Sequence, residues 1–349
     1  MLQMKLKKIT ALCLFLLMMS SINVNADQCC ATDCCGEWSV HADWLYWNVR
    51  KCGLDYAWRE ESVDGTDTIP DDLGLGGPKK VDPDYESGVR FGFFKKCDEW
   101  NFGVRYTCFN DEYKDSFFDA GLNYQASRVL PDTQNGSYGS SPSFVEANFD
   151  SARSKYEVDL QVIDIEINRS IQVNCDSNLL VFSGVKLASL DQNLRSEYGN
   201  KADFATDRTV VKEKNDMDAY GLYLGGEGTW NVCGCGGLFG RFSVASLLGD
   251  VDRSFVQKNV TAGSDFAIAD VNDSSWCHVN VLEFAVGFDY ELCDFMCADW
   301  FLRAGYEFHT WFNMHDFINF CGADIEGHPA RQKDSVGFDG LFVRLGAGF

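Results

Sequence analysis

Arg90, Arg105, Arg241, Arg303, Arg344 and Lys186 lie in runs where apolar residues recur at every second place, as do Asp43, Glu157, Asp159, Glu227, Glu283, Asp289 and Glu307. Successive side chains of an extended chain point to opposite faces, so each run presents one apolar face and one face that carries charge. Charges of both signs projecting into a shared lumen can do two things. As opposed rows of arginine and carboxylate they set a transverse field across a water-filled constriction, which sorts small solutes by charge and dipole. Paired with one another, they fill a narrow lumen and close it. The expected lining residues are Arg90, Arg105, Arg241, Arg303, Arg344, Lys186, Glu227, Glu283 and Glu307, with Arg105 and Arg303 best placed because they sit mid-run.

Two other residue sets could do chemistry. His309 follows Glu307 in one such run, with His315 and Asp316 shortly after, but a general base needs a partner within hydrogen-bond reach. The chain has no serine-centred elbow, phosphate-binding glycine loop or His-Glu-x-x-His run. His309 is therefore read as a solvated rim histidine and the chain as a non-enzyme without cofactor. The cysteines number 15. Cys29, Cys30, Cys34 and Cys35 crowd one short stretch, while Cys97, Cys175, Cys233, Cys235, Cys293 and Cys297 fall in short links between runs. In an exported chain these are disulfide candidates, either within the chain or to neighbouring barrels and Cys-rich envelope partners. Zinc is the weaker reading, because the compartment is oxidising and no histidine lies near these cysteines, so no metal is expected.

The positioning elements are strands. Period-two runs recur from Trp38 to Phe349, and no segment after the amino terminus holds about 18 uninterrupted apolar residues, which a membrane helix would need. Short links at 96–98, 169–177, 231–236 and 291–298 alternate with long ones at 49–84, 111–154, 191–216, 250–275 and 313–334. Short periplasmic turns and long extracellular loops mark outer-membrane barrels, and the parity closes with about ten antiparallel strands, or twelve with one extra hairpin. Aromatic residues also gather at both strand ends: Trp38, Phe93, Trp100, Trp230, Phe239, Tyr290 and Trp300 at the inner, Tyr46, Tyr85, Tyr156, Tyr220, Trp276, Trp311 and Phe338 at the outer. Two such belts fit interfacial anchoring in a bilayer. One run resists assignment, since Tyr156, Val158 and Leu160 set a parity that Ile163, Ile165 and Ile167 reverse. Either a bulge lies near Val162 or the strand leaves the bilayer there.

The ends agree with export. Lys5, Lys7 and Lys8 precede an apolar run from Ile9 to Met19 and a small-x-small site ending at Ala26, the pattern of a cleaved signal peptide. This gives residues 1–26 as signal, 27–37 as a Cys-rich periplasmic tail and 38–349 as barrel. The formal charge of −22 makes nucleic acid an improbable partner, because the phosphates would be repelled. The last strand ends on Phe349 with alternate apolar residues behind it, a pattern similar to the signal read by barrel-insertion machinery.

The run from Trp38 to Asn48, the Gly53–Ala57 segment, the Gly88–Phe93 strand and the Phe338–Phe349 ending together resemble the Legionella-type and chlamydia-related major outer membrane protein-like family. That resemblance implies an abundant, pore-forming surface barrel, and its cysteine-rich members imply disulfide-linked envelopes. The expected function is passive diffusion of small solutes through the cell outer membrane. The alternative is a structural or adhesive barrel with a plugged lumen. The expected partners are membrane lipids, the insertion machinery, and Cys-rich envelope proteins or further copies of the chain.

Overall fold

Backbone amides in a bilayer must all be bonded within the protein, and strands can do this only by closing into a ring. In a computed structural model of the chain, ten strands do so. They are β1 Trp38–Lys51, β2 Tyr85–Cys97, β3 Trp100–Phe118, β4 Asn148–Asn174, β5 Ser177–Lys201, β6 Arg208–Cys233, β7 Gly236–Thr261, β8 Ser264–Glu291, β9 Asp299–His315 and β10 Lys333–Gly348. Each pairs antiparallel with its neighbours in sequence, and β10 returns to β1 with Val40 opposite Ala347 and Trp44 opposite Val343, so the ring has no open edge. The structure describes residues 38–59, 77–118, 124–126, 128, 148–201, 208–233, 236–261, 264–292, 298–320, 329–330 and 333–349. The expected signal peptide and Cys-rich tail, with Cys29, Cys30, Cys34 and Cys35, lie outside the described residues, as do Cys235, Cys293 and Cys297.

The strands are longer than a bilayer needs. A tilted strand spans it in about 9–11 residues, whereas β4 to β8 run for 27, 25, 26, 26 and 28 residues. Much of the polar sequence expected as loops at 111–154, 191–216 and 250–275 is instead strand: β3 and β4 continue to Phe118 and from Asn148, and β7 and β8 are joined through residues 262–263. The physical reason is an exchange of faces. On β4, Asp164, Glu166 and Asn168 are buried within the barrel while Ile165 faces outward, half exposed. Further along the same strand Tyr156, Val158 and Leu160 are the buried residues and Glu157 lies on the opposite face. Where lipid surrounds the wall, apolar side chains face out; where water surrounds it, they face in. The parity reversal near Val162 is this crossing, because β3, β4 and β5 keep unbroken register through it. Glu157 and Asp159 accordingly lie on the outer-facing side of β4 and not in the lumen, with Asp159 buried there.

The same exchange corrects three of the expected outer-belt aromatics. Tyr156, Trp311 and Phe338 are buried inside the barrel, and so is Phe239 near the other end, whereas Trp100, Trp230, Tyr290, Tyr46, Tyr220 and Trp276 are exposed on the outer face. By the rule for these barrels, the end with the tight turns faces the periplasm. One of those turns joins β2 to β3 and carries Asp98 at a positive φ of 56°, a backbone state that Asp tolerates better than most residues.

At the opposite mouth the chain folds back over the barrel. Leu54, Tyr56 and Ala57 are buried there, with Phe317 and Ile318 from the segment after β9. Tyr198 donates to the Tyr56 carbonyl at 2.7 Å and Tyr56 donates to Asp115 at 3.0 Å. Arg128 donates to the Asp55 carbonyl at 2.8 Å and pairs with Glu213 at 3.2 Å. Glu213 lies wholly inside this mouth; burial pushes its carboxyl up to about 7, with Asp316 adding to the rise and Arg128 opposing it.

Candidate functional site: a charge cluster inside the barrel

Strand register brings the charges together. Asp43 on β1 stands opposite Arg90 on β2 and Arg344 on β10. Arg105 stands opposite Asp164, which stands opposite Lys186. Arg241 faces Glu227 across β6 and β7, Arg303 faces Asp289 across β8 and β9, and Glu283 lies between Ser243 and His309. Because all these residues occupy the inward face of the membrane-embedded section, neighbours in register pair along the wall, and Arg90–Glu307 and Arg303–Glu227 link strands that are not neighbours.

The pairs form one continuous chain. Arg344 meets Asp43 at 2.8 Å, Asp43 meets Arg90 at 3.2 Å, and Arg90 meets Glu307 at 3.0 Å. His309 touches Glu307 and Glu283, each at 3.4 Å. Lys186 bridges Glu283 at 2.7 Å and Asp164 at 2.8 Å. Arg105 joins Asp164 at 3.2 Å to Glu166 at 3.3 Å, Arg241 joins Glu166 at 2.9 Å to Glu227 at 3.3 Å, and Arg303 joins Glu227 at 2.8 Å to Asp289. All nine expected lining residues are members of this chain. Basic groups and carboxylates alternate along it and do not stand as two opposed rows.

Aromatic rings support the charged groups. The Arg241 guanidinium lies 3.8 Å from the Phe182 ring centre and that of Arg303 4.2 Å from Phe239, a favourable cation–π arrangement in a desolvated site. Trp47 donates its indole N–H to Glu307 at 3.0 Å and Tyr223 donates its hydroxyl to Glu166 at 3.1 Å. Lys186 is 1% exposed and Arg105 6%, so these charges are tolerated only because each is paired and hydrogen-bonded. The pocket among them holds about 50 Å³, room for a few water molecules.

Sequence reasoning missed Asp164 and Glu166, although the outward Ile163, Ile165 and Ile167 that flank them signal an inward carboxylate pair. It also placed His309 at a solvated rim; the ring is instead partly buried within the cluster, its side chain 14% exposed, with Trp47 against it at 5.0 Å between centres. Of the disulfide candidates whose side chains are described, Cys97 and Cys175 are exposed at the periplasmic turns and, like Cys52, Cys108 and Cys277, form no disulfide with another described residue. The backbone of Cys233 ends β6.

A family model described as the Legionella pneumophila major outer membrane protein precursor matches residues 32–348, nearly the whole length. The chain belongs to this family. Its place is the outer membrane, and its fold is the antiparallel barrel described above. A search of curated protein sequences finds no match. Among solved structures, the outer membrane protease OmpT of Escherichia coli is similar at 11% identity with a TM-score of 0.44, covering 89% of this chain and 96% of that one. A FadL homologue of Pseudomonas aeruginosa is similar at 9% identity and a TM-score of 0.27, with 89% of each chain covered. The toluene transporter TodX of P. putida is similar at 10% identity and a TM-score of 0.21, covering 94% of this chain and 93% of that one.

Proposed function

We propose that this family member is a closed surface barrel of the outer membrane, a wall component whose work is done on its outer surface and not by passing solutes. The continuous ion-pair chain with about 50 Å³ of free space carries this reading. Above it the lumen is filled by Phe109, Tyr156, Trp311 and Phe338, and the mouth by Leu54, Tyr56 and Phe317, so a diffusing solute would meet three successive obstructions. The alternation of signs also works against a transverse field, because adjacent opposite charges cancel at short range. His309 is read as part of this packing and not as a catalytic base: its two ring nitrogens face two carboxylates. The exposed Cys97 and Cys175 at the periplasmic turns suit covalent linkage to neighbouring envelope proteins.

Planar-bilayer recording of the refolded protein tests the proposal. The wild type is expected to be silent, while Arg105→Ala, which removes one partner each from Asp164 and Glu166 and opens space in the cluster, admits ions and gives small steps. Discrete porin-sized steps from the wild type would overturn the closed-barrel reading and favour passive diffusion.

A further inference from the structure

Above the lipid-facing zone the outer wall of β3 to β6 carries a row of like charges in direct register. Lys114 stands opposite Lys155, Lys155 opposite Arg195, and Arg195 opposite Lys212. Like charges facing one another across strands are unfavourable, and this row stands out in a chain of formal charge −22. Arg153 and Arg208 lie just above it. Arg153, Arg195 and Arg208 all converge on one carboxylate, Glu197, so their donors exceed the acceptors present. The side chains of Lys114, Arg153, Arg195 and Arg208 are 68%, 63%, 48% and 46% exposed. Between Lys114, Arg153, Lys155 and Arg195, with Asp115 and Glu197 also in its lining, the wall has a depression of about 500 Å³.

We propose that this depression binds acidic sugars, bearing carboxylate or phosphate, in the headgroup of the glycolipid that fills the outer leaflet. Height selects the ligand. The row lies eight residues along each strand from the apolar positions Tyr106, Ile163, Leu187 and Tyr220, which at ordinary rise and tilt is about 20 Å above them. That is the layer of headgroup sugars, and the site faces sideways into it. Four residues below the row, Asp159, Asp191, Asp216 and Asp252 stand side by side on the same wall. Asp159 is buried and Asp216 is paired with Lys214, so this level carries no surplus positive charge for phosphates held next to the hydrocarbon, and the matching anions are those carried further out on the sugar chain. Lys114 and Lys155 are already paired with Glu112 and Glu157, so it is the guanidinium groups, three to the one carboxylate of Glu197, that supply charge-assisted hydrogen bonds to such anions.

The test compares binding of the refolded full-length protein to lipopolysaccharide with a complete core oligosaccharide and to the same lipid truncated to its lipid A disaccharide. The core-bearing lipid is expected to bind about tenfold more tightly, with the advantage falling at high salt as exposed charges are screened and disappearing in Arg195→Ala with Lys212→Ala. Heat-modifiable mobility reports that each variant is folded, and Lys212→Ala alone, at an exposed position, serves if the double variant does not fold. Equal binding of the two lipids, or an advantage unchanged in the folded variants, would overturn the proposal. So would binding of heparin, a soluble sulfated polysaccharide, without any preference for the core-bearing lipid, because the patch would then take polyanions from solution.

Discussion

Lys186 offers the sharpest test of whether the cluster is a dry, structural plug. Its ammonium is 1% exposed and bridges Asp164 at 2.8 Å and Glu283 at 2.7 Å. Lys186→Met keeps the apolar stem and removes only the charge, leaving two buried carboxylates each short of one partner. Removing one member of a buried pair costs about 3–5 kcal/mol. Here the lower end applies, because Asp164 keeps Arg105 and Glu283 keeps a 2.6 Å hydrogen bond from Ser243. A loss of about 3 kcal/mol is roughly two powers of ten in the ratio of folded to unfolded protein. Urea unfolding in lipid vesicles, followed by tryptophan fluorescence and by the heat-modifiable band, measures it. Adding Glu283→Gln should recover part of the loss, because one stranded charge is neutralised, and the double-mutant cycle isolates that coupling. A cost below about 1 kcal/mol for Lys186→Met would refute the reasoning: water would then be solvating the stranded carboxylates, and the lumen would be wet.

Three further outcomes follow from other parts of the barrel. A Cβ at Gly103 would lie 2.0 Å from the Phe94 ring, while one at Gly77 meets nothing within 4 Å; Gly103→Val should therefore cost about 1–3 kcal/mol in urea unfolding and Gly77→Ala almost nothing. Glu213 carries a folded-state value of about 7 against an ordinary 4.5, so the folded protein holds its proton more tightly than the unfolded chain does. Its contribution favours folding below 4.5, declines as pH rises between 4.5 and 7, and levels off above 7 as a penalty on the order of 3 kcal/mol. Glu213→Gln should flatten that part of the pH profile and raise stability at pH 8, and thermal unfolding across pH 4–9 reads both. Removing Phe349 takes away a residue half exposed to lipid whose backbone bonds to Trp38 at 2.8 Å; assembly into cellular outer membranes should drop sharply, as quantified by heat-modifiable protein in membrane fractions, while refolding in detergent persists.

The barrel was legible because lipid and water impose opposite rules on the two faces of one strand, and the membrane-embedded half obeys the lipid rule without exception at Trp44, Val89, Phe102, Leu222, Phe242, Phe284, Leu302 and Val343. From those positions the inward charges follow by parity alone. What parity does not give is register, and register decides that Asp43 meets Arg344 and Arg90, or that Asp164 meets both Arg105 and Lys186. A shift of one residue in any strand would turn its whole charged face outward, so the ion pairs and the apolar belt enforce the same alignment. The upper barrel was misread as loops for a related reason. Leu190, Leu194 and Tyr198 are buried with Gln192 and Ser196 between them on the same inward face, while Asp191, Asn193 and Arg195 face out. Mixed polarity inside and full polarity outside leaves little hydrophobic alternation to detect. The single clear trace was the reversal at Val162, where the two rules meet on one strand, and it locates the outer edge of the bilayer more closely than any aromatic residue does.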